Sequence, residues 1–487
     1  MNRHGLQFRS RLCLSSAAFA VLLWPLQSSA HGFAVRYDLP LPLGFFLAGA
    51  GATVALSFVL LAVLAKENSS RAALTSHRFV LPTLDRIISH RLLTAFLQTI
   101  SVFLFLLVIA TALFGDTNPF KNISTTMVWL IWWVGMMFIN TFIGDVWGTI
   151  NPWSVMFAAT ERGLQKLKPG ARLALDLPYP ARLGVWPAVA LFLAFAWVEI
   201  ISGEGEDVRK LGALVIGYSL ITWSGMVVFG RHTWLAHGEA FSVVFTTFSR
   251  FAPFARAGGA LVMRPPGSGL LVREPVSWST AAMVLVLLAT VTFDGFIATP
   301  VWGALYEGFT TLGQRFPGIA GLFDFYTLAT ALFLLFPIMF GAVLLACCRL
   351  TVTLAGKYSA EELARYFVLT LLPVAIAYHV AHYLVFFLLT GQYIIPAISD
   401  PFGFGWDLLG TATYKPDIAL IGARFAWYTG VIAIVAGHVI AVHLAHRMAA
   451  YLFGGARQTI ASQLPLLALM VAYTMLSLWI IAQPAVQ

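Results

Sequence analysis

The chain has 487 residues, of which 59% are hydrophobic and only 10% are charged. Soluble domains carry about 25% charged residues, so this composition excludes an ordinary water-soluble protein and predicts that lipid covers most of the surface. The net charge of +9 is spread over few charged groups, which argues against a nucleic-acid-binding protein. The lipid bilayer is the partner that the composition predicts.

The amino terminus is predicted to be a cleavable signal peptide over residues 1–30. Its basic start is followed by an apolar stretch at 12–26 and by the small residues Ser28, Ser29 and Ala30, the pattern that signal peptidase recognises. An uncleaved anchor is the alternative, although the apolar stretch is short for a membrane span. Residues 31–487 would then form a single transmembrane helical domain.

Ten apolar runs that are long enough to cross about 30 Å of hydrocarbon follow the signal peptide. The sequence therefore predicts an all-α fold, a polytopic transmembrane helix bundle of about ten spans. The connections at 149–183 and 230–277 are expected on the cytoplasmic surface, partly as amphipathic helices. The predicted spans are 43–65, 92–114, 125–148, 184–201, 211–229, 278–298, 325–348, 367–390, 421–446 and 463–483.

The basic residues alternate between the loops. With the mature amino terminus outside, the inside loops hold 20 Lys and Arg residues and the outside segments hold only seven. Cytoplasmic loops of membrane proteins are enriched in Lys and Arg. This pattern predicts a multi-pass protein of the bacterial inner membrane with both termini in the periplasm.

Carboxylates close to hydrocarbon are functional candidates, because ionisable groups within a membrane are costly. Asp294 lies at the outer end of the sixth span and is the strongest candidate for a catalytic acid or base. Asp400 lies in the outer loop after the eighth span and is the second candidate. Either residue would alternatively be a helix cap or a turn residue, which is the commoner use of Asp.

Three histidines in the eighth and ninth spans are candidates for metal ligands. His379 and His382 are three residues apart, so their rings lie about 60° apart on one helix face. His438 in the next span lies within about 6 Å of the same depth, so the three side chains would converge on a divalent ion such as zinc. Hydrogen bonding between helices or ligation of haem are the alternatives.

Several strings resemble one bacterial membrane family over most of the chain. They are His31-Gly32 with the segment 36–43, Asn151-Pro152-Trp153, Phe293-Asp294-Gly295 with the segment 299–302, the segment 399–407, and Gly437-His438. In these strings the chain resembles the fenitrothion hydrolases, which are membrane-bound organophosphate hydrolases.

The resemblance implies hydrolysis of a hydrophobic phosphotriester or thiophosphotriester. A metal-activated water would attack phosphorus, with His379, His382 and His438 holding the metal and Asp294 or Asp400 assisting. Two other functions stay open at this point: a polytopic transporter or permease, and a haem- or copper-binding membrane protein. The sequence does not determine whether a partner subunit or a homo-oligomer is required.

Overall fold

A computed structural model describes residues 30–32, 35–37, 41–64 and 78–483. The signal peptide predicted at residues 1–30 lies almost wholly outside these ranges. Within them, nine helices are long and apolar enough to cross a membrane. The predicted all-α bundle is therefore confirmed, and the chain is a multi-pass membrane protein.

The bundle is built from ten apolar helices that follow the predicted spans. Two of them end or continue in π-helical turns, at Met127–Val134 and Val198–Ser202. The ten helices are α1 (Leu43–Leu64), α3 (Arg91–Phe114), α4 (Ile123–Phe142), α7 (Trp186–Ser202), α8 (Val208–Phe229), α11 (Trp278–Ile297), α13 (Phe325–Ala355), α15 (Leu372–Thr390), α17 (Ala423–Phe453) and α18 (Ala456–Ile481).

Shorter elements connect these helices. The remaining helices are α2 (Pro82–Ile88), α5 (Trp147–Ile150), α6 (Pro152–Leu167), α9 (Arg231–His237), α10 (Ala240–Ser249), α12 (Pro300–Gly313), α14 (Ala360–Phe367) and α16 (Ile394–Ser399). Two small antiparallel sheets comprise β1 (Ala30–Gly32) with β2 (Val35–Tyr37), and β3 (Phe79–Val80), β5 (Ala260–Met263) and β4 (Phe254–Ala257) in that order.

Contacts between loops divide the bundle into two ends. At one end, the amide of Asp116 donates to the carbonyl of Phe402, which joins the α3–α4 loop to the loop after α16. At the other end, β3 pairs with β5, and Arg365 donates to the carbonyl of Val276. The connections predicted to be rich in basic residues all meet at this second end, which is named the basic end below.

The fourth predicted span is shorter than the other nine. Helix α7 has about 17 residues, and it falls below the length of the nine long helices. Its start lies at the basic end, where the amide of Val185 donates to Ser279. Its last turn leads to Gly205 at the opposite end, where the Gly205 carbonyl accepts from Trp129 Nε1 at 3.0 Å. This helix therefore runs from one end of the bundle to the other.

One connection is buried more deeply than the sequence predicted. Helix α10, expected on the cytoplasmic surface, has an apolar sequence and is packed inside the bundle against α4 and α7. Phe241, Phe245 and Phe248 in this helix are almost wholly buried. The buried side chain of Glu239 caps the helix by accepting from the amides of Phe241 and Ser242. Most of the surface of α10 is apolar, which explains why it packs against other helices, and most of its few polar positions share the one face that stays partly exposed.

Helices α15 and α17 form the most extensive contact in the bundle. The contact is close because a residue without a side chain lies at the crossing. A Cβ atom on Gly437 would lie 2.7 Å from the carbonyl oxygen of Pro373 and would also clash with Ala377. Small residues at such crossings let the backbones of membrane helices approach. The crossing fixes the position of α15, which carries two of the predicted site residues.

Candidate functional site

The site is built around a hydrogen-bonded pair of side chains from α11 and α15. Asp294 lies three residues before the end of α11, and His382 lies midway along α15. His382 Nε2 is 2.8 Å from Asp294 Oδ2. An ionised carboxylate only accepts hydrogen bonds, so the imidazole carries a hydrogen on Nε2. In its neutral form the ring has its lone pair on Nδ1, which makes no hydrogen bond to any described residue.

A tyrosine on the same helix completes the contacts of Asp294. The hydroxyl of Tyr383 donates to Asp294 Oδ2 at 3.0 Å, so this oxygen accepts from two side chains. Glu199 lies beside Tyr383, and its carboxyl interacts electrostatically with Asp294. Three helices, α7, α11 and α15, therefore bring two carboxylates, an imidazole and a phenol together.

Glu199 and its neighbour Trp133 both lie in π-helical turns. Glu199 belongs to the last turn of α7, and Trp133 belongs to the π-helical middle of α4. Trp133 Nε1 is buried next to Glu199 but makes no well-formed hydrogen bond within the described part of the chain. π-Helical turns insert an extra residue into a helix and are frequent at functional sites. Here the two turns direct an acid and an indole toward the Asp294–His382 pair.

The Asp294–His382 pair lies in protein surroundings but remains partly accessible. Phe293 and Tyr378 beside it are fully buried, while the side chains of Asp294 and His382 keep 21% and 30% of their accessible surface. A small molecule can therefore contact the pair, and a water there would find polar partners in its carboxylate and imidazole.

His379 belongs to the same cluster. Its Nδ1 lies 2.8 Å from the carbonyl of Ala375 one turn earlier. Because a carbonyl only accepts, Nδ1 carries the hydrogen and Nε2 keeps the lone pair. The ring packs edge-on against Trp133 and Phe248, and it interacts electrostatically with His382 and Asp294. Of the three predicted metal ligands, His379 and His382 are thus brought together.

His438 lies in a separate group between α17 and α18. It is fully buried, its Nδ1 bonds the carbonyl of Ile434 at 2.8 Å, and its Nε2 is buried with no partner among the described residues. Its ring packs against Tyr473, whose hydroxyl is 2.5 Å from that of Thr292. Over the described ranges no three His, Cys, Asp or Glu side chains are grouped as a metal ion requires. The structure therefore does not bring the predicted three-histidine set together.

Asp400 forms hydrogen bonds within the outer loop. Its two carboxylate oxygens accept from the backbone amides of Phe404 and Gly405, at 3.0 and 2.7 Å. Both oxygens therefore stabilise the turn that follows α16, as expected for the structural use of Asp. Of the two candidates for a catalytic acid or base, Asp294 joins the helix cluster, whereas Asp400 stabilises a loop.

Sequence reasoning did not select Tyr383 and Trp133. Tyr383 is adjacent to His382 in the sequence, and this proximity was an available signal. Glu199 was visible in the sequence as an acid at the end of the fourth predicted span, but its neighbours were not. Trp133 had no such signal, since its place in the site depends on the π-helical turns and on which helices are neighbours.

No family model matches this chain, and comparison with curated proteins and with solved structures finds no match.

Proposed function

We propose that the protein is a membrane-bound hydrolase of hydrophobic phosphotriesters or thiophosphotriesters. The observation that carries the proposal is the pairing of His382 with Asp294 at 2.8 Å, in an accessible position within an apolar bundle. Imidazole oriented by a carboxylate is a common general base in hydrolysis. The resemblance of the strings around Asp294 and His438 to the fenitrothion hydrolases supports phosphorus esters as the substrate class.

The roles follow from the tautomer of His382. With Nε2–H held by Asp294, the Nδ1 lone pair accepts a proton from water while the water oxygen bonds to phosphorus. The bond between phosphorus and the leaving oxygen then breaks. Asp294 stabilises the imidazolium that forms, and Tyr383 holds Asp294 in place. General-base catalysis of this type contributes about 10²–10⁴-fold to a rate.

The surroundings of the site suit a hydrophobic substrate. Asp294 is near the end of α11 away from the basic loops, and apolar helices surround it. A triester partitions into the bilayer and would reach the site from there. The positive-inside pattern supports a cytoplasmic basic end, an inner-membrane location and periplasmic termini, so the site would lie toward the periplasm.

The predicted metal does not fit the side chains that the helices bring together. His382 and Asp294 bond each other, and His438 lies in another group. No step above is therefore assigned to a metal ion. Metal assistance stays a prediction, and treatment with a chelator tests it.

The direct test is release of nitrophenol from fenitrothion by membranes that contain the protein. We expect release by the wild type, loss of about 100-fold or more in Asp294→Asn, and little change in the control Asp417→Asn, which lies in an outer loop. Equal expression and insertion of the variants are checked by immunoblotting. Release that persists unchanged in Asp294→Asn would contradict the assigned site, and an inactive wild type would contradict hydrolysis. Loss on chelation would support the predicted metal.

A second candidate function, transport, is favoured by one observation. His438 Nε2 and the Tyr378 hydroxyl are both buried in the bundle without a described partner. Unpaired polar groups inside membrane bundles often mark the path of an ion or a substrate. Uptake of a labelled triester into sealed vesicles without formation of product would favour transport over hydrolysis.

A further inference from the structure

The neighbour of the Asp294–His382 pair that the proposed mechanism leaves unused is Glu199. Its carboxyl lies beside Tyr383 and interacts electrostatically with Asp294. Burying a carboxyl group within a membrane costs free energy, so such groups usually have a partner or a function. The contacts around it indicate which protonation state it adopts.

The Tyr383 hydroxyl has one hydrogen, and that hydrogen is directed at Asp294 Oδ2. The hydroxyl therefore offers only its oxygen lone pairs to Glu199, and a protonated Glu199 can donate to them whereas a carboxylate cannot. Two adjacent carboxylates in a medium of low dielectric constant do not both ionise readily. Asp294 is the group that carries the negative charge, because His382 and Tyr383 both donate hydrogen bonds to its carboxylate.

We propose that Glu199 is a second catalytic residue, a protonated general acid that supplies the proton to the leaving oxygen. The proposal rests on the hydrolysis proposed above. It places Glu199 next to a group in which Tyr383 and His382 both donate to Asp294 Oδ2, with Glu199 beside Tyr383. Glu199 itself lies in the π-helical turn of α7.

The step is balanced within these groups. Water loses a proton to His382 Nδ1 as its oxygen bonds to phosphorus, and the bond from phosphorus to the leaving oxygen breaks. The leaving oxygen takes the proton of Glu199, which becomes a carboxylate. After the product leaves, His382 Nδ1 releases its proton to water and Glu199 takes a proton from water, so both groups return to their starting states while His382 Nε2–H stays bonded to Asp294. No oxidant, reductant or further reactant is needed.

A general acid indicates the class of substrate. A nitrophenolate is weakly basic and leaves without a proton, whereas an alkoxide or an unsubstituted phenolate leaves far more readily when it is protonated. An acid placed beside the base is therefore useful only for esters with a basic leaving group. We infer that the substrates to which the site is matched are hydrophobic phosphotriesters with an alcohol or phenol leaving group.

The test compares two diethyl phosphotriesters that differ only in the leaving group, 4-nitrophenol and phenol. Both are assayed with the wild type, Glu199→Gln and the control Glu206→Gln, which removes an exposed acid seven residues along the chain. For Glu199→Gln we expect kcat to fall about 100-fold or more with the phenyl ester and less than about threefold with the nitrophenyl ester. The control should match the wild type with both esters.

Retained hydrolysis of the nitrophenyl ester also shows that Glu199→Gln is folded and inserted. An equal loss with both esters, or no loss with either, would overturn the role of Glu199 as a general acid. A wild type that hydrolyses neither ester would instead overturn the hydrolysis itself, so the two failures are distinguishable.

Discussion

Helices α15 and α17 both carry histidines, but the side chains around these histidines differ. His379 and His438 have the same local structure, with Nδ1 bonded at 2.8 Å to the carbonyl four residues earlier and Nε2 left with the lone pair. On α15, the neighbouring helices α7 and α11 bring acids to the histidines. On α17, the neighbour α18 brings Tyr473, and His438 Nε2 stays unpaired among the described residues.

This difference shows that the chemical role of a histidine in the bundle depends on the side chains that the facing helix brings to it. A helix alone offers each histidine a backbone carbonyl, which fixes the tautomer. Acid–base chemistry needs a carboxylate from a second helix, and only the α15 group has one in the described structure. The predictions below test this contrast by changing one partner at a time.

The largest effect is expected from His382→Ala, which removes the proposed base. Hydrolysis of fenitrothion should fall about 100-fold or more. The matched control is His232→Ala, in an exposed position at the basic end, which should keep the wild-type rate. His438→Ala sharpens the comparison, since an equal loss there together with loss on chelation would favour the three-histidine metal site over the His382–Asp294 pair.

A smaller loss is expected from Tyr383→Phe, which keeps the ring and removes the hydrogen bond to Asp294. A hydrogen bond to a charged group contributes about 1.5–3 kcal/mol, so Asp294 should be held less firmly and turnover of fenitrothion should fall by roughly tenfold. Steady-state kinetics in membranes measure the effect. A rate equal to the wild type would remove Tyr383 from the site.

The crossing of α15 and α17 is tested by Gly437→Ala. The new methyl group would meet the Pro373 carbonyl and Ala377, and overpacking of this kind costs about 1–3 kcal/mol. The melting temperature in detergent should fall, and activity should fall with it because α15 carries His382. Gly217→Ala on α8 is the control, since no heavy atom lies within 4 Å of its added Cβ. Equal melting temperatures would contradict the close crossing.

The smallest effect is expected from Thr292→Val, on the His438 side of the comparison. This change removes the hydroxyl that contacts Tyr473 at 2.5 Å, and a buried hydrogen bond contributes about 1 kcal/mol. Stability should fall slightly while hydrolysis stays near the wild-type rate. A loss of hydrolysis as large as that of His382→Ala would show that the two histidine groups act as one site.

The fold was predictable from the sequence because the bilayer constrains it strongly. Backbone polar groups in hydrocarbon must be satisfied within each segment, so long apolar runs become helices, and runs such as 278–298 closely match the observed helix Trp278–Ile297. The short α7 and the buried α10 were harder to predict. An apolar stretch of 10 to 17 residues does not by itself reveal whether it crosses the bundle, packs inside it or lies on its surface.

The sequence by itself determined that the chain crosses a membrane and where its helices lie. It also identified Asp294, His379 and His382 as ionisable residues within the membrane and therefore as functional candidates. Only the tertiary structure decided their partners. It joined Asp294 to His382, added Tyr383 and Glu199, and left His438 and Asp400 in other surroundings. The physical reason is that helical periodicity fixes which residues share a face, whereas the packing of side chains between helices selects which faces meet.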